Sequence, residues 1–164
     1  MFREMKRKKG FSVIELMVVL LFFGAILAAT LGYTLNNKDR RNLSSTAKEI
    51  VGEIYKIKQI AARENIIIRM TFTTDSYSYQ YHDGVTWQPL DNKNARGGTA
   101  RENVTIVSPP DLAVNSRGMI LRPATLQLHS QQDIEMTAPR GGGTDRIIIH
   151  LYPYGGMEVE KQFI

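Results

Sequence analysis

The chain has 164 residues and no cysteine, with 21 Lys+Arg against 16 Asp+Glu and a formal net charge of +5. The lack of cysteine excludes a disulfide framework and a thiolate metal site, so a folded portion must be held by an apolar core. The first ten residues hold five bases and one acid, which leaves 16 bases and 15 acids from Phe11 onward; the basic balance belongs to the N-terminal segment and is no nucleic-acid signature of the remainder.

That leader, Met1 to Gly10, carries Arg3, Lys6, Arg7, Lys8 and Lys9 against Glu4. From Leu16 to Leu35 there follow 20 residues without a charge, enough for one helical membrane crossing. The only charge between Phe11 and Leu35 is Glu15. A carboxylate at the head of a membrane span is costly unless it finds a partner, so Glu15 is a functional candidate. A secretory signal peptide has a shorter apolar core and a small-residue Ala-x-Ala exit, and no Ala-x-Ala occurs between Ala25 and Leu35. A plain signal anchor shares the topology. The five basic residues before the span outnumber Lys38, Arg40 and Arg41 after it, which keeps the leader cytoplasmic and the C-terminal part outside.

Gly10-Phe11-Ser12-Val13-Ile14-Glu15-Leu16 resembles the cleavage and methylation signal of type IV prepilins and pseudopilins: a short basic leader, Gly, an aromatic residue, and Glu at the fifth mature position. The resemblance implies that residues 1–10 are a leader removed by a prepilin peptidase between Gly10 and Phe11. It implies N-methylation of Phe11, a role for Glu15 in assembly, and a bacterial inner-membrane anchor over 11–35 whose subunit later enters a periplasmic or surface filament. The implied partners are other pilin-like subunits, the peptidase/methylase, an assembly platform protein and an ATPase. Cleavage would create a cationic amine on Phe11, four residues and about 6 Å along a helix from Glu15. That amine can pair with its own Glu15 or with a neighbouring subunit's, and the second pairing also sets axial register. A Glu15 merely solvated at headgroup level explains neither Gly10-Phe11 nor the spacing.

Residues 36–64 are the extramembrane part of this helical region. Asn36-Asn37-Lys38-Asp39-Arg40-Arg41-Asn42 is polar; both a continuing helix and a loosened segment fit it, since the Asn pair and Gly32 are weak helix formers. Between Ser44 and Glu64 the apolar residues Ala47, Ile50, Val51, Ile54, Ile57 and Ala61 recur at three and four, the packing face of a helix capped by Ser44 or Ser45.

From 65 to 164 the pattern is that of an antiparallel β domain. Ile66 to Thr73 is β-branched and aromatic, and Tyr77, Tyr79 and Tyr81 alternate with Ser78 and Gln80. Such a tyrosine row is either one packed face of a sheet or a stacking platform for bases or glycans. His82-Asp83-Gly84 turns the chain so that Val85 to Gln88 pairs back, and Pro89 ends that strand. Asp91 to Glu102 reads as a loop. Strands are expected at Val104–Val107, Gly118–Leu121, Thr125–His129, Arg146–Tyr152 and Met157–Val159, with Arg140-Gly141-Gly142-Gly143 as a loop and Pro153-Tyr154-Gly155-Gly156 as the final hairpin turn. The fold class is therefore α+β, one long N-terminal helix laid on an antiparallel, two-sheet domain, and the resemblance makes it pilin-like.

Asn115-Ser116-Arg117-Gly118, Leu126-Gln127-Leu128 and Ile147 to Gly155 also resemble the H-type minor pseudopilin domain shared with FimT-like minor pilins. DNA-binding FimT-like proteins carry arginines after the last Gly, whereas here Met157-Glu158-Val159-Glu160-Lys161 follows. Arg96, Arg101, Arg140 and Arg146 lie in or beside loops and are the candidate nucleic-acid contacts; solvated loop charges are the plainer account of them. The resemblance implies a minor subunit of a type II secretion pseudopilus, with a pilus or DNA-uptake minor pilin as the alternative. No metal or cofactor is implied: His82, His129 and His150 lack ligand spacing, and Gly141-Gly142-Gly143-Thr144 lacks the Lys-Ser/Thr of a phosphate loop. No nucleophile elbow is present, so the chain is read as a non-enzyme.

Overall fold

The structure is a computed structural model that describes residues 12–90, 97–108, 111–140 and 142–163. The leader, Gly10, Phe11 and Arg96 lie outside the described residues. The chain divides after Asn37 into two compact units, taken here one at a time.

A single helix, α1, spans Val13–Glu64, so the polar stretch at 36–42 stays helical. This removes the expected cap at Ser44 or Ser45, which lie inside the helix; Ser12 stands before its first turn, with its carbonyl accepting from Leu16 N at 3.1 Å. The other end is a Schellman closure: Asn65 takes φ 52° and Ile66 N–H reaches the Ala61 carbonyl at 3.1 Å.

In the second unit, Leu43, Ala47, Ile50, Ile54, Ile57, Ile60 and Ala61 of α1 are buried in one core. Of the face expected from periodicity, Val51 is only half-buried, while Leu43 and Ile60 join the core. Two antiparallel sheets cover this stripe. The first runs β3 (Trp87–Pro89), β2 (Ser76–His82), β1 (Ile67–Phe72), β6 (Leu112–Val114), β7 (Ile120–Leu121), with β4 (Gly98–Thr99) against β2. The second runs β10 (Met157–Gln162), β9 (Gly143–Leu151), β8 (Gln132–Arg140), β5 (Thr105–Ser108). Period-two burial turns Ile68, Met70 and Phe72 of the first sheet inward, and Ile134, Met136, Ala138, Ile147, Ile149 and Leu151 of the second. This is the α+β architecture expected from the sequence.

Four strand assignments differ from expectation. Thr125–His129 is not a strand: Arg122 O accepts from Leu126 N at 2.8 Å, Leu126 sits at φ 55°, and only Leu128 makes an isolated bridge to Leu121. β8, β6 and β4 occupy segments where no strand was expected, β4 pairing with β2 from within the expected Asp91–Glu102 loop. The β2–β3 turn is as expected. Asp83 Oδ1 accepts from Val85 N at 2.9 Å and Thr86 N at 2.7 Å, and these backbone donors hold its carboxyl down to about 2.

Candidate functional site

The N-terminal part of α1 is an apolar surface that no other part of the described chain buries. Val13–Leu31 has a mean hydropathy of 2.5 and none of it is buried, so Phe22, Phe23, Ile26 and Leu27 lie bare. Its 19 residues rise about 28 Å, close to the roughly 30 Å hydrocarbon thickness of a bilayer. Within it the Thr30 hydroxyl is satisfied by the helix itself, Oγ1 donating to Ile26 O at 2.8 Å. Glu15 lies exposed in the first turn, the end of a helix that favours a negative charge.

Of the candidate arginines, the structure describes Arg101, Arg140 at the end of β8 and Arg146 within β9. Arg146 Nε pairs with Glu135 at 2.9 Å across β8–β9, and Arg140 approaches Asp145 Oδ1 at 3.7 Å. Arg101 is exposed in the connection before β5, where its backbone N–H donates to Thr46 Oγ1 at 3.2 Å. Two of the three described arginines thus already face carboxylates, and the last strand holds two acids, Glu158 and Glu160, beside one cation, Lys161.

Two arrangements escaped sequence reasoning. Asp145 is buried in the inward row of β9, in phase with Ile147 and Ile149, and its Oδ2 lies 3.5 Å from Arg40 Nε on α1. Arg40 in turn lies 3.9 Å over the Phe163 ring. A carboxylate in the apolar phase of a strand demands a cation, and that was the available signal. The second arrangement is a pair of phenol–carboxylate bonds from β2 to α1: Tyr77 to Glu49 at 3.2 Å and Tyr79 to Glu53 at 2.7 Å. The tyrosine row is therefore a packed sheet face. Burial, with the nearby carboxylates, raises both phenol pKa values far above the ordinary range.

At the other end of the domain, Lys58 Nζ donates to Gly155 O at 2.6 Å, and burial lowers its pKa. Gly155 (φ 83°) closes the β9–β10 turn against the turn at Asn115–Gly118, and a Cβ there would collide with Gly118 O. Among the described residues no His/Cys/Asp/Glu cluster has the makings of a metal site.

Among solved structures the chain is similar to the type IV minor pilin FimU of Pseudomonas aeruginosa, at 16% identity, covering 74% of this chain and 90% of that one, with a TM-score of 0.48. No family model and no curated protein matches it.

Proposed function

We propose that this chain is a minor pilin-like subunit of a bacterial envelope filament, and specifically a minor pseudopilin of a type II secretion pseudopilus. The observation that carries this reading is the bare apolar start of α1, Val13–Leu31, joined in sequence to Gly10-Phe11 and Glu15. In this reading the peptidase cuts between Gly10 and Phe11 and the new amine is methylated. Residues 11–35 hold the subunit in the inner membrane with the leader cytoplasmic and the β domain outside. The helix then leaves lipid for a bundle of like helices; one apolar surround replaces another, so the exchange carries little hydrophobic cost. The charge of the Phe11 amine meets Glu15 of a neighbour and sets register. The platform protein and ATPase drive assembly, and the chain itself performs no catalysis.

The pseudopilus is favoured over a DNA-uptake pilus because Arg140 and Arg146 face carboxylates and Glu158 and Glu160 occupy the last strand. The test is a deletion strain assayed for exoprotein secretion and transformation frequency in the same cultures. Lost secretion with normal uptake is the expected result. Lost uptake with normal secretion would replace this reading by the pilus one. Independently, a large residue at Gly10 should leave an uncut precursor on a gel, and normal maturation of that variant would refute the cleavage assignment.

A further inference from the structure

β10 ends its sheet and pairs only with β9, so its outer backbone edge has no strand partner among the described residues. Beside it on α1 runs a second row, Ser44, Lys48, Val51 and Tyr55, in which Val51 is half-buried and Tyr55 is 52% exposed. Between the row and the strand lies a groove of about 150 Å³ lined by Ser44, Ala47, Lys48, Val51, Val159 and Lys161. Ala47, Val51 and Val159 supply apolar walls, and the size suits one branched aliphatic or small aromatic side chain. Lys48 and Lys161 are its cations, and neither has a carboxylate partner among the described residues. The opposite face of β10 is acidic. Glu158 accepts from the Tyr152 hydroxyl at 2.9 Å, and Glu160 lies 3.3 Å from His150, which also meets Asp133 at 2.8 Å.

We propose that β10 and this groove form an acceptor site for an extended segment of a different polypeptide, which adds to the sheet beside β10. Main-chain bonds along a free edge give affinity, and alternate side chains give specificity. The chemistry of the entering strand follows from the two faces. On the groove side it carries an apolar residue flanked two positions away by carboxylates, which meet Lys48 and Lys161. On the other side it carries cations, which meet Glu158 and Glu160. A second copy of this chain does not fit through its own β10. Every antiparallel register that centres the two β10 strands and keeps both inner faces on one side sets a Glu against a Glu, and like charges directly opposite are destabilising. The proposal stands on the second unit alone, its stretch of α1 with β10, and is independent of the filament reading.

The test uses the full chain in nonionic detergent and two labelled peptides, Thr-Glu-Lys-Leu-Lys-Glu-Thr and its charge-swapped partner Thr-Lys-Glu-Leu-Glu-Lys-Thr, titrated by fluorescence anisotropy. The first peptide should bind more tightly by about fivefold or more, the scale of a few partly exposed ion pairs. A double variant, Lys48→Glu with Lys161→Glu, should abolish that preference. Val159→Lys, at a position 40% exposed, should lose binding while keeping its melting temperature. Equal binding of the two peptides, or no binding of either at about 1 mM, would overturn the proposal. Sedimentation velocity separates the remaining occupant: self-association that Val159→Lys abolishes would make a second copy the partner and overturn it as well.

Discussion

Tyr79 on β2 donates its hydroxyl to Glu53 on α1 at 2.7 Å, and its neighbour in the same row, Tyr77, reaches Glu49 at 3.2 Å. Two strand residues span about 6.7 Å and four helix residues about 6 Å, so the paired bonds match only one sliding position of helix on sheet. Shared burial of apolar surface carries no such register, since it is non-directional.

The phenols also set an alkaline limit. Their pKa values in the folded chain are raised by burial, then by the carboxylates, so the unfolded chain ionises first as pH rises. The contribution is fully present below about pH 10, the ordinary phenol value, and falls above it. Thermal melts between neutral pH and pH 11 should show this loss. Tyr79→Phe should lower neutral stability by about 1.5–3 kcal/mol, the scale of a hydrogen bond to a charged group, and should flatten the alkaline limb.

Asp145→Asn should destabilise the β domain by about 1–3 kcal/mol, because the buried carboxylate that faces Arg40 and Arg140 loses its charge. Arg40→Ala should cost less, since its side chain is 36% exposed. A double-mutant cycle in urea should return a coupling energy of about 0.5–3 kcal/mol; an additive result would show that the two groups do not interact.

Gly155→Ala should cost about 1–3 kcal/mol, as the residue must hold a left-handed φ with its new Cβ against Gly118 O. Gly156→Ala is the control: its Cβ would meet only Tyr152 carbon atoms at 3.5 Å or more. Equal urea midpoints for the two variants would exclude the clash.

If Glu15 pairs with a neighbour's Phe11 amine as proposed, Glu15→Ala should leave membrane insertion intact while filament incorporation falls, since loss of one partner of a buried charge pair costs about 3–5 kcal/mol. Fractionation reports the first and sheared-filament immunoblots the second. Normal incorporation would dispose of the charge-pairing mechanism.

The helix stripe was legible because Ala47, Ile50, Ile54, Ile57 and Ala61 keep one period, and β1 to β3 were legible from β-branched and aromatic alternation bounded by Asp83-Gly84. β8 was missed although Ile134, Met136 and Ala138 alternate with Asp133, Glu135 and Thr137; Pro139 and the acids depress local strand propensity, and pairing with β9 and β5 overrides it. Thr125–His129 misled because the alternation of Leu126 and Leu128 belongs to a turn built on Arg122 O. For the candidate site, Glu15 and the span are local patterns, readable from neighbours in the chain. Asp145 with Arg40 and the groove beside Val159 join residues far apart in sequence, which no local pattern specifies.

Arg40 comes three residues after Asn37, where the second unit begins, so it is among the first side chains through which tension on α1 would enter the β domain. Its carboxylate partner belongs to β9, which is an interior strand laddered to β8 on one side and β10 on the other. Load delivered there is divided between two ladders instead of peeling an edge strand open bond by bond. A domain pulled by its helix is in this way gripped at an interior strand and not at an edge.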